Sequence, residues 1–372
     1  MESESSACAT REGTDRYRQH FQENAAENHF RLEQDLYLSS IGIGTYLGNP
    51  DTLTDEKYEA AVIRAVQLGA NVIDTAANYR FQRSERSIGK ALQQLIERHG
   101  FARDELVICT KGGYLPFDGD VPRDVRAYVQ ETFVVPGIAG LDDIVGGSHC
   151  MTPAYLQNQL DQSLNNLGLE CIDVYYIHNP ESQLGAVSKA EFDERLSKAF
   201  AMLESNIEAG KIRMYGVATW NGFRQPDSAG SHSLAQMVKL AEEVGGENHG
   251  FRFIQLPFNL AMPEALTLLN QSVNDSQPVT LLAAAAALGV TVVSSASILQ
   301  GRVAHGLPES VREPLGGLAT DALTAIQFVR STPGITTALI GMSSLKHVEE
   351  NMQLTQIEPA HRNDYARLFS ES

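Results

Sequence analysis

From Leu36 onward, short apolar runs rich in β-branched residues alternate with longer segments whose apolar positions recur at helical spacing. The short runs are SSIGIG (39–44), NVID (71–74), LVICTK (106–111), IDVYYIH (172–178), IRMYGVAT (212–219), FRFIQL (251–256), VTVVSSAS (290–297) and TTALIG (336–341). Between and after them come TDEKYEAAVIRAVQLG, SERSIGKALQQLIERHG, TPAYLQNQLDQSLNNLG, residues 191–209, SHSLAQMVKLAEEVG, PVTLLAAAAALG, residues 319–332 and SLKHVEENM, each with a helical pattern. In the second of these, Ser84 is the predicted N-cap and Gly100 the predicted C-cap. Successive strands with helical crossovers give either a doubly wound sheet or a closed barrel, and eight units in one chain favour an α/β fold of the (β/α)8 TIM-barrel type.

Two stretches break the rhythm. Residues 1–35 are polar, charged and aperiodic, and are expected to be a flexible N-terminal tail ahead of one domain over residues 36–372. Residues 112–151 form a long insertion after the third strand, where a loop of this length is usually functional. GIGTYLG (42–48) has the look of a dinucleotide-binding glycine loop. Its third glycine comes one position late, NPDTLT separates it from the next helix, and the later acidic residue is missing, so a tight strand-to-loop turn is the preferred reading.

Composition narrows the class. The chain has 372 residues, 43% of them hydrophobic, enough for a sizeable core. A formal net charge of −17 argues against nucleic acid or an anionic membrane as the main partner, although local cations or backbone amides can still hold a phosphate. Cys109 and Cys171 fall in apolar runs and are expected to be buried thiols, with Cys8 in the tail and Cys150 in a glycine-rich loop. Their spacing predicts neither a metal site nor a disulfide framework. The N-terminus lacks a signal peptide's apolar core and no apolar run is long enough to span a bilayer, so a cytoplasmic protein is expected.

Candidate chemistry sits at the ends of three successive strands. The second ends in Asp74 with Tyr79 just beyond, the third in Lys111, the fourth in His178. In a (β/α)8 barrel those ends and the loops after them form the active site. Each residue alone has an ordinary structural alternative: a cap or loop anchor for Asp74, packing for Tyr79, a solvated charge for Lys111, a satisfied core group for His178. Together they describe a mechanism. A phenol titrates near pH 10, too high for easy proton transfer at neutrality, and a nearby ammonium lowers that value. Asp74 supplies Lys111 with a counter-charge, and His178 can donate a hydrogen bond to a carbonyl oxygen. Such a site holds a C=O group and delivers a proton, but lacks a hydride source, which a nicotinamide cofactor would supply.

NVIDTAANY with SERSIGKAL, LVICTK and IDVYYIHNPE together resemble the aldo-keto reductase family, over residues from about 36 to 352. The resemblance implies a TIM barrel and an Asp-Tyr-Lys-His tetrad: Tyr79 as general acid in reduction, Lys111 tuning it, Asp74 paired with Lys111, and His178 orienting the carbonyl. It implies NAD(P)H-dependent reduction of an aldehyde or ketone to an alcohol, with NADP(H) favoured over NAD(H). KIRMYGVATWN is similar to a segment that places Thr219 on the nicotinamide carboxamide, with Gln255 of FIQLPFN beside it. Ser295 stands where an aromatic often stacks on nicotinamide. ITTALIGMSSLKHVEENM resembles the family's adenosine and phosphate clamp, implying that Gly341, Ser343 and Ser344 meet phosphate and that Glu350 and Asn351 contact adenine. His347, beside Lys346, occupies the place of a phosphate-binding arginine. Candidate substrate-pocket residues are Tyr46, Tyr114, Asn179 and Trp220, with Asn179 where the family often has an aromatic. The expected partner is a small carbonyl or alcohol, with no metal, while oligomeric state stays open. A cofactor-binding regulatory or scaffold protein on the same barrel is the alternative function.

Overall fold

Eight parallel strands close on themselves in the computed structural model, which describes residues 6–226, 230–273 and 277–369. They are β1 Ile41–Gly44, β2 Val72–Asp74, β3 Val107–Gly112, β4 Ile172–His178, β5 Ile212–Ala218, β6 Phe251–Pro257, β7 Thr291–Ser295 and β8 Ile335–Gly341. Each strand pairs in parallel with the next, and β8 pairs with β1 to complete the ring. The helices following these strands are α1 Thr52–Gln67, α2 Arg83–Arg98, α3 Pro153–Leu167, α4 Lys189–Glu208, α5 Leu234–Gly245, α6 Leu281–Ala287, α7 Asp321–Ser331 and α8 Leu345–Asn351. The expected (β/α)8 barrel is therefore the fold.

Burial on both strand faces explains the unbroken apolar runs. Inward-facing Val72, Val107, Cys109, Val174, Tyr176, Phe253, Val293 and Leu339 fill the lumen as one cluster. Their outward neighbours join the larger core beneath the helices. Ser84 departs from its predicted place: the N-cap position is Gln82, two residues earlier, and Ser84 Oγ turns inward to Thr45 Oγ1 at 2.7 Å. Backbone carbonyls take the place of a cap, with Arg83 N on Arg80 O at 3.2 Å and Ser84 N on Tyr79 O at 3.4 Å.

The flexible tail expected over residues 1–35 is corrected for the residues that are described; residues 1–5 lie outside them. Residues Arg11–His20 form a helix capped by Thr10, whose hydroxyl accepts from Gly13 N at 2.9 Å. Gly13 packs so closely on Asp104 that a Cβ would overlap its carbonyl. Tyr17 is fully buried and donates to Val66 O at 2.5 Å. An antiparallel hairpin, Phe30–Glu33 with Leu36–Ser39, then crosses the floor of the barrel and drives Leu36 and Leu38 into the lumen. Ala9 joins them there; its N–H donates to Asp173 Oδ1 at 2.6 Å and its carbonyl accepts from Arg213 at 2.9 Å. A few anchors inserted into a preformed floor order this segment, which is why periodicity could not show it.

Cysteine pairing is a second correction. Cys8 and Cys171 form a disulfide across a sequence separation of 163, fastening the N-terminal segment beside the start of β4. Cys109 and Cys150 are free and buried. Closing so long a loop restricts the unfolded chain, and Cys8→Ser is expected to cost about 2–4 kcal/mol. Thermal unfolding of wild type with and without a dithiol reductant checks this: the reduced wild type should match Cys8→Ser. Equal melting of oxidised and reduced wild type would contradict it. Among the described residues, no helix is long and apolar enough to cross a membrane.

Candidate active site

The strand register gathers polar residues at one rim of the barrel. Gly44 lies opposite Asp74, Asp74 opposite Cys109, His178 opposite Ala218, and Ala218 opposite Gln255. Side chains two apart on a strand share a face, so Lys111 follows Cys109 into the lumen while Thr110 points outward to Glu85 Oε1 at 2.6 Å. There the Lys111 ammonium donates to Asp74 Oδ1 at 2.5 Å, Asp74 Oδ2 at 2.8 Å and Thr75 O at 2.7 Å. Asp74 also accepts from Gln255 Nε2 at 2.8 Å. Both charges are buried, and each satisfies the other.

Tyr79 follows a loop that continues along β3, with Thr75 N on Cys109 O at 2.9 Å and Ala77 N on Lys111 O at 3.1 Å. Lys111 Nζ is 5.0 Å from the Tyr79 ring centroid. The next three residues, Arg80, Phe81 and Gln82, all have left-handed φ, at 47°, 58° and 69°. Side chains hold them there: Arg80 and Arg83 both reach Asp55 at 2.5 Å, and Gln82 donates to Phe117 O at 2.9 Å. Backbone held in this region signals surroundings that over-determine it, here to set the position of Tyr79. Sequence reading missed Arg80 and Asp55; the sole local signal was an arginine directly after the tyrosine.

Electrostatics divides the roles. Burial pushes the Tyr79 phenol above its ordinary value; Lys111 pulls it down, as expected from sequence, but by less. Tyr79 is thus a neutral phenol with a proton to give. Burial first, then the Lys111 charge, hold His178 well below the usual imidazole range, so its ring is neutral. Burial raises the Asp74 carboxyl while Lys111 opposes it.

A cavity of about 760 Å³ opens over these groups. Asp74, Tyr79 and His178 line it, and Lys111 stands behind through Asp74. The candidate substrate residues Tyr46, Tyr114, Asn179 and Trp220 all line it as well. Tyr114 accepts from Asn179 Nδ2 at 3.1 Å and pairs with Ser182 Oγ at 3.2 Å. Of the candidate cofactor residues, Thr219, Gln255, Ser295, Gly341, Ser343 and His347 line the same cavity. Ser344, Glu350 and Asn351 do not: Ser344 is the N-cap position of α8, Glu350 Oε1 accepts from Thr320 at 2.9 Å, and Asn351 is buried. Leu47, Asn78 and Gln300 are lining residues that sequence reading did not reach.

Thr219 Oγ1 is buried at the cavity wall without a partner among the described residues. An orphaned hydroxyl at the wall of this cavity fits the carboxamide of a nicotinamide cofactor.

Known proteins resemble this chain over most of its length. A family model described as the aldo/keto reductase family matches residues 40–305. An aldo-keto reductase of Alternaria alternata, AFTS1, is 23% identical over 350 residues, covering 86% of this chain and 85% of that protein. L-glyceraldehyde 3-phosphate reductase of Escherichia coli O157:H7 is 24% identical over 349 residues, covering 84% of this chain and 82% of that protein. Among solved structures, the holo form of aldo-keto reductase AKR11C1 from Bacillus halodurans superposes with a TM-score of 0.63 at 19% identity, covering 92% of this chain and 96% of that one. An aldo/keto reductase from Klebsiella pneumoniae in complex with NADP and acetate gives 0.60 at 18% identity, covering 92% and 94%.

Proposed function

The chain belongs to the aldo/keto reductase family and is an NAD(P)H-dependent oxidoreductase of carbonyl groups, and we propose that Tyr79 is the acid that protonates the substrate oxygen. The observation carrying this assignment is the convergence of Tyr79, His178 and the buried Asp74–Lys111 pair on one cavity. His178, neutral, donates a hydrogen bond to the carbonyl oxygen and holds it within reach of the Tyr79 hydroxyl. As the proton leaves, the phenolate forms beside the Lys111 ammonium, whose charge stabilises it more than it stabilises the phenol. Asp74 keeps Lys111 protonated and in place. A reduced nicotinamide, when bound, would supply the hydride. Thr219 and Gln255 would hold its carboxamide, and Ser343, Gly341 and His347 its phosphates.

NADP(H) is the proposed cofactor, on the strength of the NADP-bound Klebsiella relative and of His347 at the cleft. Among the described residues, none of those lining the cavity is a lysine or arginine. A neutral, polar small aldehyde or ketone is therefore the proposed substrate, with Tyr46 and Trp220 at the mouth and Asn179 within. We place the enzyme in the cytoplasm, which requires Cys8 and Cys171 to be reduced there, since cytoplasmic thiols are held reduced; thiol trapping in cells tests this, and an oxidised pair would point to an oxidising compartment.

Titration with NADPH and NADH separately, followed by turnover with a panel of small carbonyls, tests the reading. NADPH should bind more tightly and be consumed. Cofactor binding without turnover across the panel would overturn catalysis in favour of a regulatory role.

A further inference from the structure

We propose that His149, carried by the 112–151 insertion, is a positioning residue that fixes the backbone carbonyl of His178 and through it the His178 ring. This rests on the carbonyl-reduction reading above. His149 is 1% exposed and lies against two groups: its Nε2 is 2.7 Å from His178 O and its Nδ1 is 2.9 Å from Gln183 Nε2. The direction of every bond in this chain is determined. Arg195 can only donate, and its Nη1 lies 2.6 Å from Gln183 Oε1, which fixes the Gln183 amide with its NH2 toward His149. His149 Nδ1 must then accept, its proton must sit on Nε2, and that proton points at a carbonyl oxygen that can only accept. Glu191, one turn before Arg195 on α4, accepts from it at 2.7 Å and completes the anchor.

The His178 ring needs such a hold from outside. A catalytic imidazole is usually oriented by a bond from its second nitrogen. Here His178 Nδ1 is buried without a partner among the described residues. What remains is packing, with Tyr114 edge-on at 5.1 Å and Tyr79 at 5.9 Å, and the backbone. The backbone turns sharply at this point. Asn179 has φ 45° and its N–H goes to Ala218 O at 2.6 Å, so a held His178 carbonyl defines how β4 delivers its last side chain.

The insertion is stitched so as to bring His149 there. Tyr114 and His149 form an antiparallel bridge, Leu115 N donates to Ser148 O at 2.8 Å, and Cys150 N donates to Gly113 O at 2.8 Å. Gly113 has φ 147°, and a Cβ there would come 2.8 Å from His178 O and 3.0 Å from His149 Nε2, into the bond itself. The far part of the insertion meanwhile holds the Tyr79 loop, through Phe117 O on Gln82 and Gly119 N on Phe81 O at 2.9 Å. One excursion of the chain therefore braces two members of the tetrad.

Histidine-selective 15N labelling and His149 substitution test the proposal. Wild type should show His149 as the neutral Nε2–H tautomer at pH 7; an Nδ1–H tautomer overturns it. His149→Leu, which has no donor, should lower kcat about tenfold while NADPH affinity stays within about twofold. His149→Gln, whose amide N–H can reach the same carbonyl, should recover most of the loss. Equal losses in the Leu and Gln variants, or cofactor binding lost in step with kcat, would make His149 a packing residue. Should His149→Leu fail to fold, Arg195→Met leaves the imidazole in place and frees only the Gln183 amide. Two His149 tautomers are then expected with a smaller fall in kcat, and an unchanged spectrum overturns the chain of orientation. If wild type reduces no carbonyl, the reduction reading fails on its own. The His178 ring resonances, shifted in His149→Leu and restored in His149→Gln, still judge the positioning; no shift rejects it.

Discussion

Tyr79→Phe is expected to lower kcat for carbonyl reduction by about 10²–10⁴-fold, the range that a positioned proton donor contributes. The substitution removes one oxygen and keeps the ring that packs on Tyr46 at 5.0 Å and on His178 at 5.9 Å, so the cavity keeps its shape. Cofactor affinity should stay close to wild type, because the proposed carboxamide contacts come from Thr219 and Gln255. Single-turnover measurement of NADPH oxidation in the presence of saturating aldehyde isolates the chemical step. Tyr46→Phe is the matched control: Tyr46 is 58% exposed at the mouth, and its loss of hydroxyl should leave kcat within about threefold if it only binds substrate. A Tyr79→Phe rate equal to wild type would remove Tyr79 from the mechanism.

How much of this was legible in the sequence depended on whether each feature is periodic. The strands were, since both faces of a barrel strand are buried and the run stays apolar to the rim. IDVYYIH begins and ends at β4's own bounds, Ile172–His178. The gathering of Asp74, Tyr79, Lys111 and His178 at one rim was legible for the same reason: an ionisable residue at the end of such a run stands out against it. The N-terminal segment was not, because its order comes from Ala9, Tyr17 and the Cys8–Cys171 bond inserted into a floor made by distant residues. Nothing near Cys8 announces Cys171. His149 was hidden in another way. GGSHC reads as a polar loop, and the histidine acquires meaning only from Gln183 and Arg195, whose contacts come from folding rather than from spacing. Glu350 and Asn351 are a different case: they stand outside the cavity lining, Glu350 accepts from Thr320, and their likeness to a clamp rests on the sequence motif alone.

Lys111→Met should be among the most destabilising single changes at the site, at about 3–5 kcal/mol, because it leaves a buried carboxylate without its cation. Asp74 would keep Gln255 Nε2 at 2.8 Å but lose both bonds from Lys111, and Thr75 O would lose its donor too. The pH dependence follows in sign. Burial already raises the Asp74 carboxyl, and Lys111 is the largest influence opposing that rise. Without Lys111 the folded value climbs further above the unfolded one, so folded Asp74 binds its proton where the unfolded chain has released it. Stability of the variant then improves as pH falls toward the unfolded carboxylate value near 3.9, and the gap to wild type narrows. Chemical denaturation at pH 7 and pH 5 measures the gap. Pairing the change with Asp74→Asn separates structure from chemistry: with both charges gone, stability should return most of the way to wild type. Turnover should not return, since the Tyr79 phenolate would form with no ammonium beside it. A double variant that recovered both would show that the pair only holds the barrel rim together. One that recovered neither would show that the lost packing of the lysine stem, rather than charge, sets the cost.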